Sequence, residues 1–83
     1  MTNKQLLKKQ IIYRSTHRGT KEMDLFINNF VNSIIHDLNL NQLKELNNLV
    51  NLGDEEFIKI SEEEIKKNEN KVVLMLKEFK KNL

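Results

Sequence analysis

Hydrophobic residues recur along this chain at steps of three and four, and the period-two alternation of a strand is absent. The pattern therefore predicts helices throughout. The strongest stripe is Met23, Phe26, Ile27, Phe30, Val31, Ile34, Ile35 and Leu38. It predicts a helix from Thr20 or Lys21 to Asp37 with one buried face. Glu22 and Asp24 fall in its first turn, where carboxylates suit the positive end of the helix dipole. Upstream, Leu7 and Ile11 form one apolar row and Leu6 and Tyr13 its neighbour, which predicts a helix over Asn3 to Tyr13.

Downstream, Asn39 and Gln42 have the spacing of a reciprocal cap, so a third helix is expected to carry Leu43, Leu46, Leu49 and Val50. Gly53 is placed to end it. Asp54 is placed to cap a helix of one or two turns containing Phe57, Ile58 and Ile60. Ser61-Glu62-Glu63-Glu64 then reads as a capping box that opens the last helix at Glu62. That helix would reach about Asn82 and turn Ile65, Val72, Met75, Leu76, Phe79 and Leu83 to the core, with the polar run Lys66 to Lys71 as its weak point. The expectation is an all-α fold, a small bundle of four to five helices forming one domain over residues 1–83.

Composition narrows the function more than the fold. A chain of 83 residues builds only a modest core, and a deep, dry catalytic cavity is hard to enclose in it. Binding and helper roles come ahead of enzymes. The absence of cysteine removes disulfides, thiolate metal sites and cysteine nucleophiles together, and it favours a reducing compartment. No apolar run approaches the ~18 residues of a membrane span. The opening "MTNKQLLKKQ" lacks a signal peptide's apolar run, so a cytoplasmic protein with no direct membrane insertion is expected.

The net charge of +2 hides an uneven distribution. Lys4, Lys8, Lys9, Arg14, Arg18 and Lys21 face only Glu22 in the first 23 residues. Asp54, Glu55, Glu56, Glu62, Glu63 and Glu64 then cluster with Lys59 as the lone cation, and the C-terminal segment is basic again. Solvated helix faces account for the middle and end of this pattern. The basic N-terminal segment is suited to an acidic partner surface.

The chain is poor in catalytic constellations. His17 and His36 lack a second ligand at metal spacing. Ser15, Ser33 and Ser61 have no histidine partner of a nucleophilic triad. The acids at 62–64 lack the alternating ligands and glycine of a calcium loop. An enzyme acting through Glu22 and His17 would need a pocket joining them. A small basic nucleic-acid-binding helical module is the alternative function, through Lys4, Lys8, Lys9 and Arg14. Against it, recognition motifs place their basic residues on the second helix, which here is apolar and begins acidic. Nucleic acid is therefore not the expected partner, and a gel shift at modest salt separates the two readings.

One stretch remains, "YRSTHRGTKEMD", which spends one of two glycines among charges. Gly19 can adopt φ > 0 and lacks a side chain, so it serves a turn and also the close approach of another backbone. Arg18 offers a five-donor fork, and Glu22 lies one helical turn on. On these grounds alone an ordinary helix–helix turn with incidental charges is the favoured reading.

Tyr13-Arg14-Ser15-x-x-Arg18-Gly19-x-x-Glu22-x-Asp24-Leu25 resembles the signature of the succinate dehydrogenase assembly factor family, the SdhE-type flavinators. Their hallmark is Arg-Gly-x-x-Glu followed by Asp and an apolar helix. The resemblance spans roughly residues 6–60, and includes the Asn39-to-Gln42 cap, the leucine-rich third helix and Gly53-Asp54-Glu55-Glu56-Phe57. Three features depart from the family: Asp54-Glu55-Glu56 stands where Asp-Pro-Asp is common, no tryptophan lies near Ile60, and His17 replaces a basic residue.

The resemblance implies a chaperone, not an enzyme. It would bind the flavoprotein subunit of succinate dehydrogenase, with that of fumarate reductase as a further candidate client, and promote covalent FAD attachment there. It implies no stably bound cofactor in this chain. Arg18, Gly19 and Glu22 would form the partner-binding surface, flanked by Arg14 and Asp24.

Overall fold

A computed structural model describes residues 2–16, 20–67 and 69–82. Among them, five α-helices follow in order: α1 (Asn3–Thr16), α2 (Lys21–Ile34), α3 (Leu40–Val50), α4 (Asp54–Glu62) and α5 (Lys71–Lys81). A short 3-10 turn, Ile35–Asp37, extends α2. No strand occurs among the described residues. Helix α1 packs on α2 and α3, and α5 packs on α4 and α3. No helix among the described residues is long and apolar enough to cross a membrane.

The stripe on α2 buries as its period predicts. Ile27, Phe30, Val31, Ile35 and Leu38 are buried, while Met23, Phe26 and Ile34 pack on them half-buried. Leu43, Leu46, Leu49 and Val50 of α3 complete the centre, with Ile11, Phe57, Val72 and Leu76 from the remaining helices. Burying a side chain of this size contributes ~1.5–3 kcal/mol.

The four phenylalanines form one aromatic joint. Phe26 meets Phe57 edge-on at 5.8 Å and stacks on Phe79 at 6.0 Å. Phe30 lies 5.5 Å from Phe79. The Lys80 ammonium sits 5.2 Å over the Phe26 ring. This joint ties α2 to α4 and α5.

Two side-chain caps start α2 and α3, and the one at Asn39 is the expected one. Thr20 Oγ1 accepts from the Met23 amide at 3.2 Å and starts α2. At Asn39 the reciprocal cap is complete: Oδ1 accepts from Gln42 N at 2.8 Å, and Gln42 Oε1 accepts from Asn39 N at 3.0 Å.

Elsewhere the structure corrects the expected boundaries. Helix α1 runs to Thr16, because the Ser15 and Thr16 hydroxyls donate to the Ile12 and Tyr13 carbonyls within the helix. Helix α3 ends at Asn51 in right-handed geometry. Gly53 therefore does not terminate it with a left-handed turn. It is the N-cap of α4 at φ −62°, and Asp54 is the first helical residue, not the cap.

The largest correction concerns Ser61. It lies inside α4, buried, with its hydroxyl donating to the Ile58 carbonyl at 2.7 Å. The last helix opens nine residues beyond Glu62, at Lys71. Its cap is Asn70, whose Oδ1 accepts from Val73 N at 2.8 Å. Phe57 and Ser61, four residues apart, both turn inward, and their burial holds α4 through Glu62. Ile65 consequently falls in the connection and is exposed, whereas Val72 and Leu76 are buried as expected.

That connection is held by charge. Lys77 of α5 is 3% exposed, pairs with the Glu69 carboxylate and donates to the Glu64 carbonyl at 2.9 Å. The second carboxylate oxygen, Glu69 Oε2, is buried without a hydrogen-bond partner.

Candidate functional site

The residues singled out by the motif straddle the junction of α1 and α2. Arg14 lies in the last turn of α1, and Glu22 and Asp24 lie in the first turn of α2. Arg18 and Gly19 lie outside the described residues, as does His17, so neither the proposed Arg18–Glu22 neighbourhood nor a His17–Glu22 pair has a described geometry. The flanks do.

Two interactions fix the helices that carry these flanks. Ser15, fully buried at the α1–α2 contact, accepts from Asn28 Nδ2 at 3.3 Å. Asn28 in turn accepts from Asn32 Nδ2 at 2.9 Å along α2. On the other side of α1, Arg14 Nη1 donates to Asn47 Oδ1 of α3 at 2.6 Å. A guanidinium bonded through one nitrogen keeps further donors for another acceptor.

Arg14 and Asp24 do not share a pocket. Arg14 and Tyr13 line an open cleft of about 370 Å³ with Val50, Asn51, Leu52, Gly53 and Asp54, where α3 gives way to α4. Asp24 lines a separate shallow depression with Thr16, Lys21, Leu25 and Asn28. Glu22 is exposed and Asp24 half-buried. Leu25, the residue after Asp24, is 62% exposed despite its size. The surface around the junction is therefore a broad, weakly concave face carrying both charges and an apolar side chain. Such a face suits another macromolecule better than an enclosed small ligand.

Asn47 was not legible from the sequence as part of this region. It lies 33 residues from Arg14, in a chain where asparagine is common, and no local pattern links the two. The exposure of Leu25 was legible in principle, since it falls off the stripe of Met23, Phe26 and Ile27. Among the described residues, no group of three or more His, Cys, Asp or Glu side chains is arranged to hold a metal ion.

No curated protein and no solved structure matches the chain. Residues 9–80 match the family described as flavinator of succinate dehydrogenase. The matched region runs from α1 through α5 and contains every motif residue from Arg14 to Asp24. Matched over residues 9–80, most of its length, and helical without strands among its described residues, the chain belongs to the flavinator of succinate dehydrogenase family.

Proposed function

We propose that this protein binds the flavoprotein subunit of succinate dehydrogenase and promotes covalent attachment of FAD to it. The docking surface is Arg14, Arg18, Gly19, Glu22 and Asp24. The observation that carries the proposal is the family match over residues 9–80, within which the motif lies whole.

The physical role of each residue follows from its chemistry. Arg18 supplies a rigid fork of donors for a carboxylate or carbonyl of the partner. Gly19, without a side chain, admits the partner's backbone at close range. Glu22 and Asp24 supply acceptors in the first turn of α2. Arg14, held toward α3 by Asn47, braces the edge of the surface. The flavin belongs to the partner, whose own residues carry out the attachment. The assembly factor raises the rate by holding that partner in a competent arrangement, and positioning of this kind requires no cofactor pocket here. The client flavoprotein is met in the cytoplasm, consistent with a cysteine-free chain.

The test uses purified flavoprotein subunit, free FAD and this protein, with covalent flavin read by fluorescence of the denatured subunit. Gly19→Arg is expected to keep its helical circular dichroism and to abolish the stimulation. Glu22→Ala should lower it more mildly. Normal attachment with a folded Gly19→Arg variant would sink the assignment of the site.

A further inference from the structure

Two consecutive residues pin the last turn of α1 to two different helices. Arg14 donates to Asn47 of α3, and Ser15 accepts from Asn28 of α2. The second contact is the inner one. Ser15 is fully buried, and its hydroxyl proton is committed to the Ile12 carbonyl at 2.7 Å. What remains on that oxygen is acceptor capacity, and the Asn28 amide fills it at 3.3 Å. The Asn28 amide is itself oriented. Its Oδ1 accepts from Asn32 Nδ2 at 2.9 Å, which leaves Nδ2 for α1. The donors therefore run in one direction, from Asn32 to Asn28 to Ser15 to the Ile12 carbonyl.

The other buried residues of the two helices, Ile11 on α1 and Ile27, Phe30 and Val31 on α2, are apolar. Apolar packing is non-directional, so it tolerates a small slide or rotation of one helix on the other. A hydrogen bond does not: stretched by about 0.3 Å, this one would cease to be a bond. Its place along the helices matters as much as its geometry. Ser15 follows Arg14 directly. Asn28 lies one turn beyond Asp24 on the same face of α2. It also lines the depression that Asp24 and Leu25 share with Thr16 and Lys21. The contact thus joins the two described flanks of the motif across 13 residues of sequence.

The geometry points to Asn28 as a positioning residue: through Ser15 it fixes the register of α1 on α2, and with it the placement of Arg14 relative to Glu22 and Asp24. Its bearing on flavin attachment rests on the proposed function, because only there do those three residues act on one partner. Ser15 has no exposed surface, so it touches no docked partner and can influence one only through position. In an oriented arrangement a displacement of about 1 Å is enough to lower a rate by up to ~100-fold.

The experiment compares wild type with Ser15→Ala, Asn28→Ala, Gly19→Arg and the control Asn29→Ala, an exposed asparagine one residue on. Covalent flavin attachment to the purified flavoprotein subunit is read at saturating concentrations of each, with melting and backbone amide NMR signals recorded alongside. Ser15→Ala and Asn28→Ala should melt close to wild type yet lower the maximal stimulation by roughly fivefold to tenfold. Asn29→Ala should change neither. The NMR readout crosses the junction: Ser15→Ala should move the Glu22 and Asp24 signals, and Asn28→Ala that of Arg14. A further variant, Ser15→Ala with Asn28→Leu, replaces the bond by apolar packing. It should recover melting without recovering stimulation, and full recovery of both would show that packing alone sets the register and overturn the inference. If Ser15→Ala and Asn28→Ala stimulate like wild type while Gly19→Arg does not, the inference falls and the motif surface stands. If Gly19→Arg stimulates normally while those two variants fail, the motif assignment falls and the positioning role remains. If wild type itself gives no stimulation, the proposed function falls. The NMR signals then decide the register by themselves: moved across the junction they uphold it, unmoved they overturn it.

Discussion

Arg14 on α1 is tied to Asn47 on α3 by a hydrogen bond of 2.6 Å between Nη1 and Oδ1. The bond sets the direction of a motif guanidinium from a helix the motif does not include. Asn47→Ala should therefore cost little stability, about 1 kcal/mol or less for one exposed side-chain hydrogen bond. Its flavinylation rate should nonetheless fall several-fold. Denaturant midpoints and covalent flavin yield, measured on the same preparations, separate the two effects. A rate equal to wild type would mean that this brace is not used.

Lys77 and Glu69 form the buried ion pair of the α4–α5 connection. Removing only one partner leaves an uncompensated charge. Lys77→Ala is expected to cost about 3–5 kcal/mol, enough to unfold much of a domain this small. Replacing both at once, Lys77→Met with Glu69→Leu, should restore most of that loss. Urea denaturation of Lys77→Met, Glu69→Leu and the double variant gives the coupling directly, and additive losses would contradict it.

Ser61 and Asn70 exchange the roles their residue types suggest. Ser61→Ala should change stability by no more than about 0.5 kcal/mol, because the Ile58 carbonyl it bonds is already engaged by the helix. Asn70→Ala removes the acceptor of the Val73 amide and should cost about 1 kcal/mol. Thermal melts of the pair decide the matter, and the opposite ordering would return the start of the last helix to Glu62.

Gly53 uses none of glycine's conformational freedom. Its φ is −62°, and a Cβ there would meet no atom within 4 Å. As an N-cap it supplies no side-chain acceptor. Gly53→Ser should stabilise the fold by about 0.5 kcal/mol, from a cap bond and a less flexible unfolded chain. A melting temperature below wild type would show that the position needs its bare backbone.

Glu63 and Lys66 form an exposed pair at 2.8 Å. The hydrogen bond from Lys66, and then its charge, hold the Glu63 carboxyl below its ordinary 4.5. The bond and charge of Glu63 correspondingly raise Lys66 above 10.5. A depressed carboxyl contributes stability that is present above its unfolded pKa and lost as pH falls through the lower folded value, so the pair weakens below about pH 4.5. The raised lysine contributes below its unfolded pKa and loses that contribution as pH climbs past 10.5. A carboxyl NMR titration should show Glu63 returning to its ordinary range in Lys66→Ala and in high salt. Exposure keeps the effect on folding small.

The helices that bury a full stripe were readable from the sequence. Met23 to Leu38 and Leu43 to Val50 repeat their apolar residues often enough for the period to identify both helix and face. The Asn39 cap was readable because both its partners lie within three residues. Ser61 misled because a serine before acids has the spacing of a cap wherever it lies. What decided otherwise was the inward packing of Phe57 and Ser61 on α4, a tertiary fact absent from the local string. The Lys77–Glu69 pair escaped for the same reason, since a buried lysine looks like any other lysine in a charged segment. At the site, Arg14, Glu22 and Asp24 were found by resemblance to a motif, while Asn47 required three-dimensional proximity.

The aromatic joint sets a minimum length for a working molecule. The motif occupies residues 14–24, yet α2, which carries half of it, is clamped at Phe26 and Phe30 by Phe57 and Phe79 from the far end of the chain. A synthetic peptide spanning α1 and α2 would hold every recognition residue and none of that clamp. It would have to order its own backbone in the act of binding. Such a fragment should make a poor competitor for the partner, and a mimic of this surface needs a scaffold that takes the place of α4 and α5.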